Sequence, residues 1–136
     1  MMKRFCIILF VTTLILTGCT TMNKNNTTNS NTQETVYKKI SAEDAKKIID
    51  SENVIILDVR TPEEYNSGHI ENALLLPVNE IPQKAEVALP NKDAKILVYC
   101  RSGNRSATAA KSLIGMGYTN VYDFGGINSW PYEIVK

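Results

Sequence analysis

Two four-residue apolar runs limit what this chain can fold into. Val54-Ile55-Ile56-Leu57 and Ile96-Leu97-Val98-Tyr99 are continuous rather than alternating. A strand with one wet face alternates apolar and polar residues, whereas an unbroken run fits a strand buried on both faces, as in a parallel sheet covered by helices. The segments between the runs agree. Ser41, with Asp44 in capping-box spacing, opens a helix over residues 42–50 that carries Ala45, Ile48 and Ile49 on one face. Thr61-Pro62-Glu63-Glu64 is a second helix start, with a cap, a Pro at the first position and a capping-box Glu, and Gly68 closes that helix. Residues 36–40 and 73–76 read as short strands. Residues 78–89 read as a helix whose start Pro82 blurs. The Ala-rich residues 106–116 read as a helix stopped by Gly117. Val121-Tyr122 is a last short strand, and Gly125-Gly126 leads to a short helix near Trp130. Alternating strands and helices predict an α/β domain in three layers, with a central, mainly parallel five-stranded sheet flanked by helices.

The N-terminus is an address rather than a fold. Lys3 and Arg4 precede twelve residues, Phe5 to Leu16, interrupted only by Thr12 and Thr13. A membrane-spanning helix needs roughly 20 apolar residues, so this run suits the core of a signal peptide. Leu16-Thr17-Gly18-Cys19 follows and resembles the lipobox of bacterial lipoproteins. That resemblance implies cleavage after Gly18, a diacylglyceryl group on the Cys19 thiol and an acylated new amino end. Two or more acyl chains anchor stably where one is marginal. The alternative is an ordinary secretory signal with an incidental Cys. Residues 20–35 include eleven Asn or Thr and one large apolar residue, Met22. Such a segment cannot bury enough surface to offset its ordering entropy, so it reads as a flexible tether of about 20 Å or more. The expected organisation is a signal peptide at 1–18, a lipidated Cys and tether at 19–35, and a folded domain at 36–136. The expected location is the extracytoplasmic face of the cell membrane.

Composition excludes other classes. With 15 Lys+Arg against 14 Asp+Glu the net charge is +1, which argues against binding nucleic acid by neutralising phosphates. One His and three widely spaced Cys cannot assemble a multi-ligand zinc site. Cys6 leaves with the signal peptide and Cys19 is the lipid site, so Cys100 remains as a lone thiol.

Cys100-Arg101-Ser102-Gly103-Asn104-Arg105 carries the chemistry. Cys100 ends the more apolar run, and ligands of open parallel sheets bind beyond the carboxyl ends of strands. A helix starts right after the loop, so its free N–H groups and positive dipole end point back at the sulfur and lower its pKa. Gly103 permits a tight turn with N–H groups facing inward. No Asp or Glu occurs from Ala94 through Tyr122, a stretch that holds Lys95, Arg101, Arg105 and Lys111. Local positive charge around one Cys would steer a small anion there.

These residues resemble the rhodaneses (thiosulfate sulfurtransferases), in particular the small single-domain members. The loop from Cys100 to Arg105 has the form of the family's active loop, Cys and four residues before an Arg, with Gly fourth. Leu57-Asp58-Val59-Arg60-Thr61-Pro62-Glu63-Glu64-Tyr65 is similar to the first family signature and Gly68-His69-Ile70-Glu71-Asn72-Ala73 to the second. Gly125-Gly126-Ile127-Asn128-Ser129-Trp130 is similar to the family's ending. The resemblance runs from about Tyr37 to the C-terminus. It implies a persulfide cycle in which the Cys100 thiolate takes the outer sulfur of thiosulfate or a related small anionic donor. A thiol, cyanide or a protein acceptor then removes that sulfur. It also implies that backbone N–H groups from Arg101 through Ser102, Gly103 and Asn104 to Arg105 cradle the persulfide, while Arg side chains take the sulfonate end. No cofactor and no metal are implied.

Other readings stay open at this level. Phosphatases of the same fold place five residues between Cys and Arg, and here there are four, which makes a smaller ring suited to one sulfur atom. An arsenate reductase needs a second thiol. A non-catalytic module commonly lacks the Cys, though a carrier dedicated to one protein partner would keep it. Asp58 and Arg60 are read either as a support for the loop or as a structural ion pair. His69 reads as a structural hydrogen-bonder, and Trp130 and Phe124 as core or pocket wall. Ser106 reads as the cap of the following helix rather than a donor to the thiolate.

Overall fold

The computed structural model describes residues 37–136. The expected signal peptide, Cys19 and the expected tether lie outside the described residues. The elements are β1 (Lys38–Lys39), α1 (Ala42–Ser51), β2 (Ile55–Asp58), α2 (Pro62–Ser67), β3 (Leu74–Leu75), α3 (Ile81–Ala88), β4 (Ile96–Cys100), α4 (Asn104–Gly115) and β5 (Val121–Gly126). Short 3-10 turns, Val78–Glu80 and Ile127–Ser129, precede α3 and follow β5. All five strands pair in parallel in the order β1-β5-β4-β2-β3, so the two apolar runs are adjacent and β4 is central.

The continuous runs are buried on both faces over Ile56-Leu57 and Ile96–Tyr99, with Val54 and Ile55 half-buried at the start of the first. Leu57, Ile96, Val98 and Cys100 pack with Ala85 of α3, Leu89 just after it, and Ala109, Ala110 and Leu113 of α4. Ile56, Leu97 and Tyr99 point the other way, onto Ala45 of α1 with Phe124 and Trp130. Strand alternation thus sends successive residues into two cores, and Cys100 belongs to the α3/α4 side. The largest of these side chains are fully buried, and each contributes about 1.5–3 kcal/mol of transfer free energy.

The helix starts follow their caps. The Ser41 hydroxyl accepts from Asp44 N–H, and Thr61 and Glu64 complete a reciprocal capping box. The expected helix over 78–89 is divided: a 3-10 turn comes first, and α3 begins with Pro82 in its first turn, where a missing N–H costs nothing. Two further expectations are corrected. The helix after Cys100 begins at Asn104 rather than Ser106, and the last strand extends to Gly126 instead of ending at Tyr122. Both corrections fall at the loop.

Candidate active site

The end of β5 is bulged, and that bulge builds the floor of the site. Val98 pairs with Asp123 but Cys100 pairs with Gly126, so β4 advances two residues while β5 advances three. Gly125 carries the irregularity at φ +88°, a conformation that glycine tolerates without a Cβ penalty. The Asp123 carboxylate accepts from the Gly125 N–H at 2.9 Å, replacing the ladder bond the bulge removes. Gly126 then lies directly beneath the loop, where a Cβ would stand 2.2 Å from the Arg101 carbonyl oxygen. Asn128 N–H donates to that same oxygen at 3.2 Å. Gly125, Gly126, Asp123 and Asn128 therefore hold the loop from below. The two glycines were visible in the sequence, but as a connection rather than as strand.

Above this floor the chain turns at Gly103, which caps α4 with φ +105° and no side-chain bond. Gly103 N–H donates to Cys100 Sγ at 3.0 Å. Cys100 is completely buried. Burial pushes its thiol up, but the N–H groups of Ser106 and Gly103, the Ser106 hydroxyl and the Ser102 N–H outweigh it, and the net shift is downward. The first turn of α4 contains no acid, and the Cys100 sulfur lies at its positive end, which favours the charged form of the thiol. Ser106 is not the helix cap. It is buried inside the first turn, with its hydroxyl within 3.0 Å of the Gly103 carbonyl and 3.2 Å of the Gly125 carbonyl, tying the loop to the floor. Arg101, Ser102 and Asn104 are exposed around the sulfur.

Arg105 is engaged. Its guanidinium donates two hydrogen bonds to the Glu64 carboxylate, at 2.7 and 2.8 Å. Glu64 in turn accepts from Thr61 N–H at 3.1 Å as part of its capping box. The Arg105 hydrogen bonds hold the Glu64 carboxyl down at about 2, against the cost of burial. Lys95 likewise pairs with Glu52. The positive stretch read from sequence is thus partly neutralised by acids 41 and 43 residues away.

The side-chain hydrogen bonds of Asp58 and Arg60 go to each other, to Tyr99 and to Gly68 rather than to residues 101–105, which fits the structural ion pair of the two readings. The two residues form a buried ion pair, Nη2 to Oδ2 at 2.6 Å. Arg60 also donates to the Gly68 carbonyl, and the Tyr99 hydroxyl donates to Asp58 at 2.6 Å while accepting from Ile70 N–H. Burial works against the Arg60 charge, and the Asp58 carboxylate more than offsets it. Burial and Asp58 together push the Tyr99 phenol up. This network joins β2, β4 and the turn before β3. His69 stacks on Tyr65 at 3.7 Å and its Nδ1 lies 3.0 Å from the Tyr65 carbonyl, a structural arrangement. Phe124 and Trp130 pack in the α1-side core. A cavity of about 630 Å³ between α1 and the C-terminal segment contains no residue of the Cys100 loop. The Cys100 site is marked instead by the convergence of N–H groups on one thiol.

Among the described residues the one thiol, Cys100, lies buried at the carboxyl end of the central strand with N–H groups directed at it. The rhodanese-like domain profile matches residues 41–132, and the chain belongs to that family. It is 38% identical over 80 residues to the thiosulfate sulfurtransferase PspE of Escherichia coli, covering 59% of this chain and 77% of that one. It is 34% identical over 96 residues to the thiosulfate sulfurtransferase GlpE of Coxiella burnetii, covering 70% and 88%. Among solved structures, a rhodanese-related protein from Thermoplasma volcanium superposes with a TM-score of 0.65 at 36% identity, covering 73% of this chain and 98% of its own. A rhodanese-like domain protein from Staphylococcus aureus gives 0.61 at 35% identity, covering 71% and 93%.

Proposed function

We propose that this protein is a sulfurtransferase that carries sulfane sulfur as a persulfide on Cys100. Membership of the rhodanese-like family and relatives named as sulfurtransferases support sulfur transfer in general. The observation that carries the finer reading is the Gly103 N–H at 3.0 Å from Cys100 Sγ within a ring of further donors. Such donors hold a thiolate without a histidine base and hold the outer sulfur of a persulfide equally well. In the first half-reaction the Cys100 thiolate attacks the sulfane sulfur of the donor, the donor's bond to that sulfur breaks, and the remainder leaves with the electron pair. With thiosulfate the leaving group is sulfite. In the second half-reaction an acceptor nucleophile, a thiol or cyanide, attacks the outer sulfur and the Cys100 thiolate is restored. Full burial of Cys100 favours donors that present a thin, one-atom terminus. Arg101, Ser102, Gly103, Asn104 and Arg105 form the rim that meets the rest of the donor. The test is sulfite release from thiosulfate with cyanide as acceptor. Wild-type protein should turn over and Cys100→Ser should not, whereas aryl phosphate hydrolysis without sulfur transfer would defeat the reading.

The N-terminal sequence supports a second, separate proposal: the mature protein is lipidated at Cys19 and held on the extracytoplasmic face of the membrane. Cys19→Ala should move the protein from the membrane to the soluble fraction. Continued membrane association would refute the anchor.

A further inference from the structure

The Glu64–Arg105 pair bears on which donors the site accepts. Arg105 is the one guanidinium built into the first turn of α4, near enough to Cys100 for the two charges to interact. Both of its terminal nitrogens are turned to Glu64. Glu64 is not placed there by Arg105 alone, because its carboxylate also closes the capping box of α2 through Thr61 N–H. Its pKa of about 2 keeps it charged at every physiological pH. The remaining loop guanidinium, Arg101, is exposed and weakened by solvent screening.

The reaction's charge balance shows the consequence. Attack on thiosulfate brings a thiolate (−1) against a dianion (−2), so three negative charges converge before sulfite leaves as a dianion. Attack on the outer sulfur of a protonated hydropersulfide, R–S–SH, brings one. The S–S bond breaks, the thiolate RS⁻ leaves with the electron pair, and Cys100 becomes Cys100–S–SH. Arg105 is already paired, so a dianion meets a guanidinium whose charge a fixed carboxylate offsets.

We propose that Glu64 is a specificity-determining residue: by neutralising Arg105 it disfavours dianionic donors and directs the site to the hydropersulfides of small thiols. This deepens, and rests on, the reading of Cys100 as the sulfur-accepting thiol. Glu64 acts through Arg105 and the local field, without contact to the reacting sulfur.

Glu64→Gln tests it, because Gln still fits the capping box while losing the charge. Using the purified full chain, kcat/KM is measured for thiosulfate and for cysteine hydropersulfide, wild type against variant. Removing one charge at this range should move the ratio toward thiosulfate by roughly tenfold. An unchanged ratio, or one that moves toward the hydropersulfide, overturns the proposal. Should the variant fail to fold, the wild-type salt dependence decides. Thiosulfate kcat/KM should stay flat or rise with ionic strength, and a steep fall would show a net attractive field and overturn it. If neither donor leaves a sulfur on Cys100 in wild-type protein, the underlying sulfurtransferase reading has failed, a result distinct from an unchanged ratio.

Discussion

Cys100 makes the sharpest single-residue claim. Its thiol is pushed up by burial and pulled further down by four donors, so its pKa lies below the ordinary thiol value. Activity that depends on the thiolate should therefore fall off at a lower pH than it would with an ordinary thiol. Rates of alkylation by iodoacetamide against pH would report it, and a midpoint at or above 8.5 would contradict the account. Tyr99 makes a claim of another kind. Its hydroxyl serves both Asp58 and Ile70 N–H in a fully buried setting. Tyr99→Phe leaves a buried carboxylate short of a donor and should cost about 1.5–3 kcal/mol in denaturant unfolding, with sulfur transfer lowered little. Arg60→Ala should cost more, about 3–5 kcal/mol, because it strands Asp58 as a buried charge. The sequence placed Asp58 and Arg60 together but could not place Tyr99 with them, since that bond spans 41 residues and follows only from strand register.

Among elements, the end of β5 and the start of α2 carry the site without entering it. Gly126 allows the Arg101 carbonyl to pass where a Cβ would need to be. Gly126→Ala must displace either the loop or the strand, with an expected stability cost of about 1–3 kcal/mol. Sulfur transfer should fall more than 100-fold in protein that still folds, because near-attack geometry is lost with a shift of about 1 Å. Retention of activity with full stability would show that the loop does not rest on β5. The start of α2 is coupled to acid stability. Glu64 has a folded pKa of about 2 against an ordinary 4.5, so the native state binds fewer protons across that interval. Its stabilising effect is fully present above pH 4.5 and fades as the pH falls toward about 2. In urea titrations at a series of pH values, Glu64→Gln should flatten this acid limb, and an unaltered limb would contradict the pairing. The helices with side-chain caps were legible from their first residues, Ser41 and Thr61. The start of α4 was not, because Gly103 caps it through backbone conformation alone and Ser106 lies within the first turn, its hydroxyl in reach of the Gly103 and Gly125 carbonyls.

At the scale of the molecule, the two apolar runs carried most of the fold. A strand buried on both faces needs helices above and below, and both cores are present. Five parallel strands follow from short β segments separated by helices, and placing β4 in the middle sets Cys100 at the centre of the carboxyl edge. The sequence could not show the balance of charge at that edge. An acid-free stretch from Ala94 to Tyr122 looks positive when read along the chain. In three dimensions Glu64 is brought to that edge to pair with Arg105, while Glu52 pairs with Lys95 at the opposite, amino end of β4. The bulge in β5 was hidden for a related reason, since two adjacent glycines look the same in a loop and in an irregular strand. The central claim remains chemical: one thiol, held as a thiolate by backbone donors, accepts one sulfur atom. Intact-mass analysis with peptide mapping after brief exposure to a sulfane-sulfur donor tests it most directly. The account predicts a one-sulfur increase located on Cys100, lost on adding cyanide and absent in Cys100→Ser; an unmodified Cys100 under conditions of turnover would contradict it.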